Sequence, residues 1–210
     1  MYAGHLGDLT NNWVGRLARL YANQTTTATQ AVKLMEWMQE RCPNLIVVGG
    51  NHDCWNQGMD LISFVMRQQQ AVVSAHGVRL ALNFNNGRQV RIHARHDFKG
   101  NSQYNSTHGH RKEQLFSGNK DHIYCSGHRH HDAASVTPQS DGTCSWAFMV
   151  SGYKVIDDYA ISHGFPEQRM APTVTVVIDP NAKNEAELVK PFWLTEAAAD
   201  YLTYLRARST

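Results

Sequence analysis

Residues Leu45–Trp55 read "LIVVGGNHDCW", and the fold turns on how this stretch is read. Four apolar residues, three of them β-branched, suit a strand buried on both faces. The run stops at Gly49-Gly50, where the backbone can turn tightly and approach neighbouring chain closely. It then delivers an amide, an imidazole and a carboxylate in succession: Asn51, His52 and Asp53. Polar side chains at the carboxyl end of a buried strand mark where sites assemble in α/β sheets.

Upstream, Thr27 and Gln30 have the spacing of a capping box. Ala31, Met35, Met38 and Cys42 then recur as one helical stripe, which Pro43 and Asn44 end. An earlier stripe, Trp13, Leu17 and Leu20 with Val14 and Tyr21, is broken by the polar run Gln24–Thr27. The order of helix, turn and buried strand predicts an α/β layered fold. Downstream, Val78, Leu80, Leu82 and Phe84 alternate, Asn86-Gly87 supplies a turn, and Val90, Ile92 and Ala94 alternate back, predicting a hairpin. Further strands are expected at Asp121–Cys125, in "SWAFMVSGY" and in "TVTVVID", and a final helix is expected along Leu194, Ala198, Tyr201 and Leu205. Strands outnumber helices in this half, so a mixed sheet is expected. No repeat, linker or low-complexity tract divides residues 1–210, which read as one domain.

The polar motifs share one placement, each directly after an apolar strand. Asp8 follows a short opening strand in "HLGDL", and Asn51-His52-Asp53 follow the second. His96 ends the hairpin in "VRIHARHDF", and His128, His130 and His131 follow the next strand in "IYCSGHRHH". A carboxylate, an amide oxygen and several imidazoles suit Mn, Fe, Zn, Co or Ni better than Ca. His93 is placed on the opposite strand face from His96, and His131 in an outer or exposed position. Cys54 and Cys125 are read as small packing residues, and the tryptophans, Trp37 and Trp193 among them, as core.

The bulk numbers agree. Twelve histidines stand out, whereas 42% hydrophobic and 18% charged residues are ordinary. A formal charge of +2 does not describe a polyanion-binding tail. No apolar run approaches a membrane span, the N-terminus lacks a secretory layout, and four scattered cysteines make no disulfide framework. The expectation is a cytoplasmic protein with no membrane partner.

Taken together, Gly7-Asp8, Gly50-Asn51-His52-Asp53, His96 and Gly127-His128-Arg129-His130 resemble the calcineurin-like metallophosphoesterase signature in its usual order. The run from "GDLTNNW" through "ARHDFKGNSQYN" to "GHRHH" resembles the versions encoded by phages and prophages. The resemblance implies a sandwich of two mixed β-sheets flanked by helices. It implies a phosphoester hydrolase using one or two divalent ions, manganese foremost, with iron, zinc, nickel or cobalt as alternatives. It makes Asp8 a bridging carboxylate, Asn51, His96 and His128 ligands of the second metal, and His130 a ligand of the first. His52 becomes the general acid and Asp53 the residue that orients it. The family opens with Asp-x-His on its first strand, and this chain contains no Asp-x-His. Two explanations follow: a strand upstream of residue 1, which is the expectation, or a reduced first site to which His5 contributes. In the loop expected over Lys99–Phe116, Asn105 and His108 are candidates to hold substrate, with Arg95 a phosphate clamp or an outward strand residue and Asn11 and Asn12 helix caps or substrate contacts. A phosphodiester, nucleotide or nucleic-acid substrate is expected over a phosphoprotein. A catalytically impaired metal-binding scaffold is the alternative.

Overall fold

The strand read from Leu45–Val48 forms as β2 (Asn44–Val48), the middle of a three-stranded parallel sheet ordered β1-β2-β3, with β1 at Ala3–His5 and β3 at Val72–Ser74. It is buried on both faces, which is why Leu45–Val48 is continuously apolar. Ile46 and Val48 enter a core with Val78, Val90, Ile92, Ala94, Ile123 and Phe148. Val47 points the other way, against Ile62 and Met66. Each such side chain contributes about 1.5–3 kcal/mol of burial.

The computed structural model describes residues 1–11, 26–53, 60–67, 70–154, 156, 158–165 and 173–208. The stripe over Trp13–Tyr21, together with Asn12 and Cys54, lies outside the described residues. Helix α1 (Ala28–Arg41) begins with the expected capping box: Thr27 accepts from the Gln30 amide while the Gln30 side chain accepts from Thr27 N. Helix α2 (Asp60–Met66) covers the Val47 side of the parallel sheet.

The hairpin forms as β4 (Val78–Asn83) and β5 (Gln89–Ala94), turning with Gly87 at φ 82°. It belongs to a five-stranded sheet ordered β4-β5-β6-β8-β7, with β6 Ile123–Ser126, β7 Ala133–Pro138 and β8 Cys144–Met149. This sheet is mixed: β5, β6 and β8 run parallel, while β4 and β7 pair antiparallel at the edges. Its inner face shares the core with Ile46 and Val48 of the parallel sheet. On its outer face His93, Tyr124 and Phe98 form an aromatic cluster that continues to His110 of helix α3 (His108–Phe116). After a short helix α4 (Asp158–Ser162), β9 (Thr175–Ile178) and β10 (Val189–Phe192) make an antiparallel ribbon. The short α5 (Glu185–Leu188) precedes β10, and α6 (Thr195–Ala207) packs on the ribbon. The chain is therefore an α/β protein with mixed sheets flanked by helices.

Three expectations change. The loop read over Lys99–Phe116 ends as helix α3, whose buried side is polar: Gly109, His110 and Gln114. An apolar period could not reveal it. Gly109 packs so closely on Phe98 that a Cβ there would lie 2.2 Å from the Phe98 carbonyl oxygen. Trp37 is not core; it is 52% exposed, with the Arg41 guanidinium stacked 4.3 Å from its ring centre, and Trp193 is only half-buried. Met35 and Gln39 form the buried side of α1 instead.

Buried histidines give this fold a pH dependence. Burial lowers His93, His110 and His122 below the ordinary imidazole value, His110 to about 4. An unfolded chain takes up these protons below pH 6.5 and the folded chain does not, so stability is full above 6.5 and falls as pH drops towards 4. His110 alone is expected to remove about 3 kcal/mol across that window. Melting temperatures from pH 7 to 4.5 should fall, and the fall should shrink in His110→Gln; a flat profile would contradict it.

Candidate metal centre

Parallel pairing of β1 with β2, and of β5 with β6, sends all four motif-bearing loops out from strand carboxyl ends. The loops after β1 and β2 meet closely. A Cβ on Gly50 would lie 2.1 Å from Asp8 Oδ1 and 2.4 Å from Asp8 N, and one on Gly7 would lie 2.3 Å from His96 Nδ1. Only glycine admits this approach, and Gly7 also holds φ 99°.

At the centre of the meeting point is the His96 ring. Its Nδ1 lies 2.7 Å from the Leu6 carbonyl oxygen, to which it donates its N–H. Around Nε2 stand Asn51 Oδ1 at 3.0 Å, His128 Nδ1 at 3.0 Å and Asp8 Oδ2 at 3.2 Å. The ligand atoms of Asp8, His96 and His128 all lie within 4.8 Å of one another. One proton on Nε2 could serve one of these acceptors well and leave the rest facing each other. A single divalent cation satisfies all four, so the donor set fits a metal of the N/O-preferring kind.

The electrostatics follow from the same contacts. Burial pulls the His96 imidazole down, but the Asp8 hydrogen bond and charge outweigh it and raise the pKa. Burial pushes Asp8 up, but His96 and the His52 amide, which donates to Asp8 Oδ1 at 2.9 Å, hold it below the ordinary carboxylate value. Burial and the neighbouring His96 charge lower His128.

Backbone strain marks the same residues. Among the described residues, positive φ at non-glycine positions occurs at Asp8 (55°), His128 (68°) and His130 (53°). Each costs on the order of 1–3 kcal/mol and persists only where surrounding structure enforces it. All three are candidate ligands, and nothing in residue type or spacing announces this strain.

Asp53 is fully buried, and burial raises its pKa against the amides that stabilise its charge. Its oxygens accept from Thr10 N at 3.0 Å and Gly50 N at 2.9 Å, while Thr10 Oγ1 donates to the His52 carbonyl. Asp53 thus ties the two loops together through backbone. His52 is half-buried beside Asp8. His130 is exposed and is not a member of the Asp8–His96–His128 group.

The expected substrate residues have local partners of their own. Arg95 follows β5 on the His93 side of the sheet, lining a separate cleft, which is the outward reading. Asn105 Oδ1 accepts from Thr107 N and Oγ1, shaping the turn into α3. His108 opens that helix against Gly100. The Asn11 side chain accepts from Lys154 Nζ at 3.1 Å. His5 Nε2 sits 3.0 Å from Gln39 Nε2, facing α1. Residues given no role from sequence are Leu6, Thr10 and the pair Arg129–Asp97, in which the Arg129 Nε donates to Asp97 at 3.1 Å and ties the His128 loop to the His96 loop. Across known proteins, no family model matches the chain and no curated protein matches it.

Proposed function

We propose that the chain is a metal-dependent phosphoesterase of the calcineurin-like kind, with the corresponding sandwich arrangement, acting on a phosphodiester or nucleotide. The observation that carries this reading is the convergence of Asn51, His128 and Asp8 on His96 Nε2 at 3.0–3.2 Å. Asp8, Asn51, His96 and His128 would hold one divalent ion, manganese foremost. Bound there, the ion would polarise a phosphoester oxygen and lower the pKa of a water.

The chain's own residues do the rest. The Leu6 carbonyl fixes the His96 tautomer, so that Nε2 presents a lone pair. The His52 amide keeps one Asp8 oxygen oriented. Through Asp53 and Thr10 the loop is held so that the His52 imidazole can deliver a proton to the departing alkoxide. A second reading, a metal-binding scaffold without turnover, draws on His130 lying outside the Asp8–His96–His128 group.

Hydrolysis of bis-p-nitrophenyl phosphate separates the two. Activity stimulated by Mn, and lost in Asn51→Ala and His128→Ala, is the expected result. Metal binding without turnover would favour the scaffold.

A further inference from the structure

Sheet alternation places Arg79, Arg91, His93 and Arg95 on the outer face of the β4–β5 hairpin, away from the His96 cluster, with Arg79 and His93 directly opposite in register. Near the β3–β4 connection this face opens into a cleft of about 230 Å³, lined by His76, Arg79, His93 and Arg95 among others. Its polar groups divide sharply. The Arg79 fork donates to Asp121 at 3.0 and 2.9 Å, and Arg91 approaches the same carboxylate at 3.8 Å. Arg95 has no such partner: its guanidinium makes no ion pair and no hydrogen bond among the described residues, and lies 6.0 Å from the Phe98 ring centre.

Two nitrogens of the wall are buried with no hydrogen-bond partner, Arg95 Nε and His93 Nδ1. His93 is 6% exposed, and the nearest carboxylates, Glu113 and Asp121, stand 3.9 Å from that nitrogen, beyond hydrogen-bond reach. Buried unpartnered donors are rare in native proteins and call for a ligand or an ordered solvent partner. The charges lining the cleft point the same way: Arg79 is paired with Asp121, and Arg95 has no carboxylate partner among the described residues. Gly77 beside the cleft leaves Arg95 room, since a Cβ there would press on Arg95 Cγ at 2.9 Å.

We propose that His76, Arg79, His93 and Arg95 form a second, oxoanion-binding site that takes a free tetrahedral anion of the size of phosphate. Arg95 supplies the planar fork, suited to paired contacts with phosphate oxygens. His76 closes the solvent side, and His93 the floor. The site does not depend on the metal reading, because it lies on the other face of the sheet.

Calorimetric titration of the full chain with inorganic phosphate in the presence of chelator tests it, since the chelator removes metal-dependent phosphate binding at the Asp8 cluster. The expected result is saturable binding at one site, weakened about tenfold or more in Arg95→Gln and also weakened in His76→Ala. Melting temperatures establish that each variant is folded. If Arg95→Gln does not fold, the exposed His76→Ala decides. No saturable binding at millimolar phosphate, or binding unchanged in the folded variants, would overturn the proposal.

Discussion

Replacing His52 by alanine is expected to lower kcat about 10²–10⁴-fold for a phosphodiester with an alkyl leaving group, with metal content unchanged. An alkoxide is a poor leaving group and needs its proton as the bond breaks. A p-nitrophenoxide leaves without that help, so the same variant should lose far less activity towards bis-p-nitrophenyl phosphate. The substitution spares the metal centre because His52 supports Asp8 through its backbone amide, which alanine keeps. Comparing kcat for the two leaving groups therefore separates proton delivery from metal support. Equal losses would mean that His52 is not the acid.

Gly50→Ala is expected to weaken divalent-metal affinity about 10–100-fold or more while the protein still folds. The added Cβ would lie 2.1 Å from Asp8 Oδ1, 2.4 Å from Asp8 N and 2.8 Å from Asp8 Cγ. Two of those atoms belong to the carboxylate and one to backbone already held at φ 55°, so the residue cannot yield without moving its ligand oxygen. Gly4→Ala, on the same pair of strands, is the control, since its Cβ would meet nothing nearer than 4.0 Å. Calorimetry with Mn or Zn should show the loss in the first variant and wild-type affinity in the second. Equal affinity in both would mean that the β1 and β2 loops do not meet as described.

How much could be read from sequence depended on which physical signal each part carried. Strand β2 was legible because burial on both faces leaves no polar position between Leu45 and Val48. The hairpin was legible because one face alternates and Asn86-Gly87 supplies the turn. Helix α3 was not, because its buried residues are Gly109, His110 and Gln114, and its apolar Leu115 and Phe116 are exposed. Strand β7 escaped for a related reason: "AASVTP" is small and polar, with little burial to pattern it.

At the site, residue type after a strand end named Asp8, Asn51, His96 and His128, which the fold brings together. It left two roles open for Arg95, although strand parity counted from His96 already puts Arg95 on the His93 face. It could not assign Asn105, whose side chain serves its own turn. The strained backbone of Asp8, His128 and His130 is a product of loop closure and has no signature in a linear pattern.

The central claim is that Asp8, Asn51, His96 and His128 hold a divalent cation. Elemental analysis of protein purified without chelator, beside His96→Ala and His130→Ala, tests it most directly. The account predicts close to one Mn, Fe or Zn per chain, falling to background in His96→Ala and unchanged in His130→Ala. Metal-free wild-type protein that stays metal-free after incubation with Mn and Zn, or the same content in His96→Ala, would contradict it.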